Sequence, residues 1–245
     1  MSTYGNFIDE TIKTEYDLIS VLKNDENSYI ELFSHKPTGS KLVKILSKNR
    51  NDHIYRKLRG LQHKNLPIIY DICSCEEHLL VLESYIDGET LESILEKNEI
   101  SEKTAISYLT DLCEALDFLH KNRIIHRDVK PTNVIITPEN RAILIDFSAA
   151  RLVSDVQDKD TSNLGTAGYA APEQYGIFQS MPPTDIYALG VLFNLMLINT
   201  HPSVKIPSGK LGKIIKKCVD TQISKRYQSV DALKKDLNRY KKFHL

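Results

Sequence analysis

The chain has 245 residues, of which 41% are hydrophobic and 26% charged, with 32 basic and 32 acidic side chains. That length and composition are ordinary for a globular protein able to bury a core without disulfide or metal staples. The balanced charge excludes a uniformly basic surface of the kind that binds nucleic acid, and no nucleic-acid partner is expected.

The first third reads as short strands. Residues 16–22 and 29–33 are β-branched or aromatic-rich runs separated by the polar stretch 23–28. Pro37-Thr38-Gly39 marks a turn before a third strand at 41–46. Ile54, Leu58 and Leu61 share one face of a predicted helix over 52–61, and strands are predicted at 66–72 and 78–82. Cys73 and Cys75 are too close for an ordinary disulfide or a zinc knuckle. With Cys113 and Cys218 they are expected to be buried reduced thiols, which suits the cytoplasm.

After Gly88 the pattern becomes helical. A helix is predicted at 90–96, and Ser101 opens a longer one carrying Leu109, Leu112, Leu116 and Leu119. The apolar runs 134–136 and 142–145 flank the turn Pro138-Glu139-Asn140 and predict a hairpin. Residues 185–197 are apolar all round, as in a buried helix. The longest apolar stretch, 186–198, contains Asn194 and is too short to span a bilayer, so no transmembrane segment is expected. The start of the chain shows no basic region followed by an apolar run. Amphipathic helices are predicted at 211–219 and 230–240. From Lys205 onward twelve Lys or Arg stand against three Asp, an excess of nine positive charges matched by nine negative ones elsewhere. Such a tail is either a set of solvated helix faces or a docking surface for an acidic partner or an anionic membrane.

Phosphoryl transfer needs metal ions against phosphate charge, a cation on the transferring group and a base aimed at the acceptor hydroxyl. The string from His126 to Asn133, followed by Asp146, has these residue types at workable spacing. Asp128 can accept a hydroxyl proton, and Lys130, two residues on, can touch a γ-phosphate. Asn133 and Asp146 offer hard oxygen ligands that suit Mg²⁺, and the hairpin between them would bring them close.

This string resembles the catalytic loop of protein kinases, H-R-D-x-K-x-x-N, at every fixed position. Gly165-Thr166-Ala167-Gly168-Tyr169 with Ala171-Pro172-Glu173 resembles the end of a kinase activation segment. Lys130 with Thr166 resembles Ser/Thr rather than Tyr kinases, and the run through Gln174-Tyr175-Gly176 looks like bacterial Ser/Thr kinases. The resemblance implies an α+β, bilobal kinase-like fold. A small antiparallel β-sheet lobe would cover 1–86, a mostly helical lobe 87–245, and the hinge 83–88. It implies a Ser/Thr protein kinase using ATP and Mg²⁺ on a protein hydroxyl, with catalytic roles for Asp128, Lys130 and Asn133. Metal would be held by Asn133 and Asp146, and nucleotide by Lys44, Glu83, Tyr85, Lys130, Asn133 and Asp146. By the same resemblance, Lys44 is the third-strand Lys on the α- and β-phosphates, while the backbone of Glu83, Ser84 and Tyr85 meets adenine and Leu82 lines the pocket's rear. Asp87 or Glu89 would reach the ribose. Glu173, Asp185 and Arg226 would be structural. Arg127 would pair with a phosphate added to Thr161 or Ser162, the expected autophosphorylation sites.

The family's glycine-rich loop is missing: Lys23, Asp25 and Ser28 stand at its three glycine positions. The carboxylate that should pair with Lys44 is also absent, since Ile54 occupies its place, leaving Asp52 or Glu31 as substitutes. Asp-Phe-Gly has become Asp146-Phe147-Ser148. These departures keep open a pseudokinase, a nucleotide-binding or regulatory interaction module. A small-molecule phosphotransferase is the more distant alternative.

Overall fold

The protein, as a computed structural model, is described over residues 3–48, 51–75, 78–97, 100–153, 166–175 and 179–244. It divides into two units, Met1–Ile86 and Asp87–Leu245. The architecture is α+β: an antiparallel sheet forms the first unit, and helices dominate the second.

In the first unit, helix α1 (Thr3–Glu15) precedes strands β1 (Tyr16–Asn24), β2 (Ser28–His35) and β3 (Lys41–Ser47). Helix α2 (Asp52–Leu58), β4 (Ile69–Ser74) and β5 (Leu79–Ser84) follow, and the strands order as β1-β2-β3-β5-β4. The helix expected over 52–61 stops at Leu58, because Arg59 leaves helical geometry and Gly60 takes a φ of 86°. The strand expected at 66–72 begins only at Ile69, since Leu66 closes a turn onto His63 and Pro67 has no N–H for a ladder. β5 extends through Ser84, so Glu83 and Ser84 belong to the ladder and the free link begins at Tyr85.

α1 adds a helix to the elements expected from the sequence, with Ile8 and Ile12 at helical spacing. Both are buried, in one cluster with Phe33, Cys73, Cys75, Leu80 and the partly buried Tyr16, Leu46 and Leu82. Burying each isoleucine contributes roughly 1.5–3 kcal/mol. Paired residues of antiparallel strands share a face. The pairs Glu31–Lys44, Lys44–Leu82, Leu46–Leu80 and Cys73–Leu80 therefore put the strand residues of this cluster on the Lys44 face. Ile30, Ile45, Val81 and Ile72 form the row on the opposite face. α2 is anchored on that second face: Asp52 Oδ2 and Arg56 meet the hydroxyl of Ser74, which pairs with Leu79.

The second unit begins with β6 (Glu89–Thr90), α3 (Leu91–Lys97), α4 (Glu102–Lys121) and β7 (Ile124–Ile125). The hairpin β8 (Val134–Ile136) and β9 (Ala142–Leu144), then β10 (Arg151–Leu152), lead to α5 (Pro182–Ile198), α6 (Gly209–Cys218) and α7 (Val230–His244). Ser101 caps α4 by accepting the Thr104 N–H at 3.1 Å. α5 is buried over most of its length, and its buried Asn194 donates to the carbonyls of Thr200 and Lys205. Gly190 lets α5 approach α6, since a Cβ there would lie 2.4 Å from the Cβ of Cys218. All four cysteines are buried, and none of them is in a disulfide. Among the described residues no helix is long and apolar enough to cross a membrane.

Candidate active site

Between β7 and β8 the chain cannot form a ladder, because its amides are captured by a buried side chain. Asp185, fully buried at the start of α5, accepts from the N–H of His126 at 3.0 Å and of Arg127 at 2.8 Å. His120 Nε2 reaches the same carboxylate at 2.8 Å. Arg127 is thereby held at a φ of 72°, in the left-handed region that a non-glycine residue occupies only at a cost of about 1–3 kcal/mol. Gln174 adds a further clamp, donating to the Arg127 carbonyl at 2.8 Å and accepting from the Ala171 N–H at 2.9 Å. Neither His120 nor Gln174 was legible from spacing, because each acts on backbone atoms or on a residue far along the chain.

Burial alone would push the Asp185 carboxyl up. The His120 hydrogen bond, the nearby His126 and the Arg127 amide outweigh it and hold Asp185 below the usual carboxylate range. A depressed folded pKa contributes stability that is present above the unfolded value of about 3.9 and lost as pH falls through the folded one. Urea unfolding across a pH series is expected to show stability falling below about pH 4, and Asp185→Asn is expected to flatten that slope.

Past this clamp, Asp128, Lys130, Asn133 and Thr166 converge. Lys130 Nζ lies 2.8 Å from Asp128 Oδ2 and donates to Thr166 Oγ1 at 2.7 Å. Thr166 in turn donates to Asp128 Oδ1 at 2.7 Å. Asn133 Nδ2 donates to the Asp128 carbonyl at 2.9 Å and to Oδ2 at 3.0 Å, which leaves the amide oxygen as its acceptor atom. Desolvation raises the Asp128 pKa, but the hydrogen bonds from Lys130 and Thr166 more than offset it, leaving the carboxyl below its ordinary range.

The β8–β9 hairpin sets the next pair. The Ile145 N–H donates to the Asn133 carbonyl at 2.9 Å, which carries the β8–β9 pairing one residue further and sets Asp146 next along the strand. Asp146 has a φ of 66°, and its Oδ1 accepts the Ser148 N–H at 2.9 Å. Serine thus serves where the resemblance implied glycine. Phe147 is buried and meets the ring of His126 edge-on, with centroids 5.7 Å apart. Asn133 and Asp146 together supply hard oxygen donors of the kind that fit Mg²⁺. Thr161 and Ser162 lie outside the described residues.

The supporting ion pair expected by resemblance is present. Arg226 donates to both oxygens of Glu173 at 2.7 and 2.9 Å with both side chains buried, and Thr184 donates to Glu173 at 2.9 Å.

In the first unit the nucleotide residues are arranged differently from expectation. The β1–β2 turn is closed by Asp25, which accepts from the N–H groups of Asn27 and Ser28 at 2.9 and 2.8 Å. The Lys23 hydrogen bond and those amides hold Asp25 far below the usual carboxylate range. Backbone donors that a glycine loop would turn toward phosphate are therefore occupied by a side-chain anion. Lys23 pairs with Ile30, which puts it on the α2 face, 3.0 Å from Asp25. Lys44 lies instead on the α1 face, 2.6 Å from Asp9 and 3.7 Å from Glu31. Asp52 is not its partner; that carboxylate binds Arg56 and Ser74. The Ser84 N–H is taken by the Ile68 carbonyl, and Tyr85 follows with Lys41 4.9 Å over its ring.

Comparison with known proteins agrees with this geometry. The protein kinase domain family matches residues 42–239. The chain is 34% identical to the Ser/Thr-protein kinase PknB of Mycobacterium tuberculosis over 151 residues, 58% of this chain and 24% of that protein. It is 26% identical to the carbon catabolite-derepressing protein kinase of Saccharomyces cerevisiae over 198 residues, 76% of this chain and 31% of the relative. A Danio rerio striated muscle preferentially expressed protein kinase is 28% identical over 245 residues, covering 96% of this chain and 8% of its own length. The chain thus spans a third or less of these relatives. With the catalytic-loop geometry and a match over most of its length, the chain belongs to the protein kinase domain family.

Proposed function

We propose that the chain is a Ser/Thr protein kinase that moves the γ-phosphoryl group of Mg·ATP to a protein hydroxyl. The Asp128–Lys130–Thr166–Asn133 network carries this reading, because it holds an ionised base, a cation and a metal-ligand amide within hydrogen-bond reach of one another. Asp128 takes the proton of the acceptor hydroxyl as its oxygen bonds to the γ-phosphorus and the bond to ADP breaks. Lys130 is the cation for the transferring group. Asn133 Oδ1 and the Asp146 carboxylate would hold Mg²⁺, which when bound neutralises phosphate charge. The backbone of Tyr85, the first residue beyond the ladder that holds Glu83, is the candidate adenine contact. On the α2 face, Lys23 is the cation that the β1–β2 turn offers.

The 34% identity to the mycobacterial kinase, against 26% to the yeast one, is what favours a bacterial-type enzyme, and the buried thiols suit a cytoplasmic one. Thr161 or Ser162 is the candidate autophosphorylation site. A groove of about 390 Å³ between α6 and α7 carries Lys210, Lys213 and Lys217 beside an Arg239–Asp236 pair, and this excess of cations favours docking of an acidic protein partner.

A second reading, a regulatory pseudokinase, is favoured by the Asp25-closed turn. The test is incubation of purified protein with Mg·ATP labelled at the γ-phosphate, with and without a generic basic protein substrate. Label on Ser or Thr is expected. No incorporation with any divalent metal, while nucleotide still binds, hands the case to the pseudokinase.

A further inference from the structure

Lys44 stands where the family resemblance puts a phosphate cation, but its surroundings assign it other work. Its ammonium sits between Asp9 at 2.6 Å and Glu31 at 3.7 Å, and the three side chains are only 11%, 17% and 13% exposed. One cation between two carboxylates leaves a net negative site, which repels a polyphosphate rather than inviting it. The strand register fixes the direction as well. Glu31, Lys44 and Leu82 form one row on the face covered by α1, while α2 is anchored on the other face with Ile45 and Val81. A kinase Lys that serves nucleotide pairs with a carboxylate of the helix between β3 and β4. Here that helix offers the buried Ile54, and the carboxylate comes instead from α1.

α1 also has reason to need a fastener. Thirteen residues are marginal as an isolated helix. Its described buried apolar contacts come from Ile8 and Ile12, and Phe7 is 63% exposed. Asp9 sits beside Ile8 and one turn before Ile12, so its ion pair and the apolar contacts act on the same stripe. The helix precedes the stretch that matches the family, residues 42–239.

We propose that Asp9, Lys44 and Glu31 form a latch that locks the N-terminal helix onto the sheet, and that Lys44 is thereby withdrawn from nucleotide binding. The inference holds whether or not the chain transfers phosphate.

The test compares wild type with Lys44→Met, Asp9→Asn, Asp9→Glu and the Lys44→Met/Asp9→Asn double variant. Hydrogen exchange of the 3–15 amides reports the latch, and titration with a fluorescent Mg·ADP analogue reports the nucleotide. Each single neutralising variant is expected to speed α1 exchange at least about tenfold, with the double variant little faster than either. Asp9→Glu, which keeps the charge, is expected to restore most of the protection. Analogue affinity is expected to stay within about threefold of wild type in Lys44→Met, against the roughly tenfold or greater loss expected on removing a charged contact. Unchanged α1 exchange in Lys44→Met and Asp9→Asn would overturn the latch. Loss of analogue binding in Lys44→Met that Asp9→Asn does not share would return Lys44 to the nucleotide. If wild type binds no analogue, the kinase reading fails, and the latch is judged on exchange alone. Should Lys44→Met not fold, Asp9→Asn, which removes a charge but little volume, carries the test.

Discussion

Asp128→Asn is expected to lower phosphoryl transfer on the order of 100- to 10,000-fold, the range for removing a positioned general base. The substitution keeps side-chain volume but replaces an acceptor that now serves Lys130, Thr166 and Asn133 at once. Its amide nitrogen would face donors, so the network loosens locally, while Asp185 still holds the loop backbone. Loss in kcat with little change in KM for ATP is therefore expected, as for a group that acts in the transition state. Steady-state kinetics beside a thermal unfolding curve separates chemistry from folding. Retention of more than about a tenth of wild-type turnover would remove Asp128 from the base role. Because its hydrogen bonds keep Asp128 below the ordinary carboxylate range, wild-type activity between about pH 5 and 8 is expected to show no acid limb from this residue.

Arg226→Ala is expected to be the most destabilising of the changes considered. It removes both hydrogen bonds to Glu173 and those to the carbonyls of Pro183 and Asp220, leaving a carboxylate only 2% exposed without its cation. Breaking a buried pair by deleting one partner costs about 3–5 kcal/mol. In a domain of this size each kcal/mol moves Tm by roughly 2–4 °C, so a drop of about 6–20 °C is expected by calorimetry. Pairing Arg226→Met with Glu173→Leu removes both charges, and the double variant is expected to recover part of the loss. A single-variant drop under about 2 °C would show that the pair contributes little. Since Glu173 also receives Thr184 from α5, this change loosens the segment that carries Gln174 and, through it, the Arg127 carbonyl.

Much of the second unit is legible in the sequence. Ser101 announces α4 because its hydroxyl can satisfy a free amide three residues on, a local event. Residues 185–197 read as buried because no arrangement in water tolerates so continuous an apolar surface. The loop from His126 to Asn133 with Asp146 could be read because a short hairpin joins its two parts. What spacing could not show were His120 and Gln174, which reach their targets across 65 and 47 residues of chain.

The first unit was read less well, and Lys44 shows why. Its identity and its place in a strand were plain, but the face it occupies depends on register, where a slip of one residue reverses every side chain. Its partner Asp9 lies 35 residues earlier, on a helix whose apolar stripe rests on Ile8 and Ile12. The sequence by itself determined the family and the core helices, because those rest on residue type and short-range spacing. Only the tertiary structure decided which carboxylate meets which cation, since such pairs are chosen by packing between segments distant in the chain.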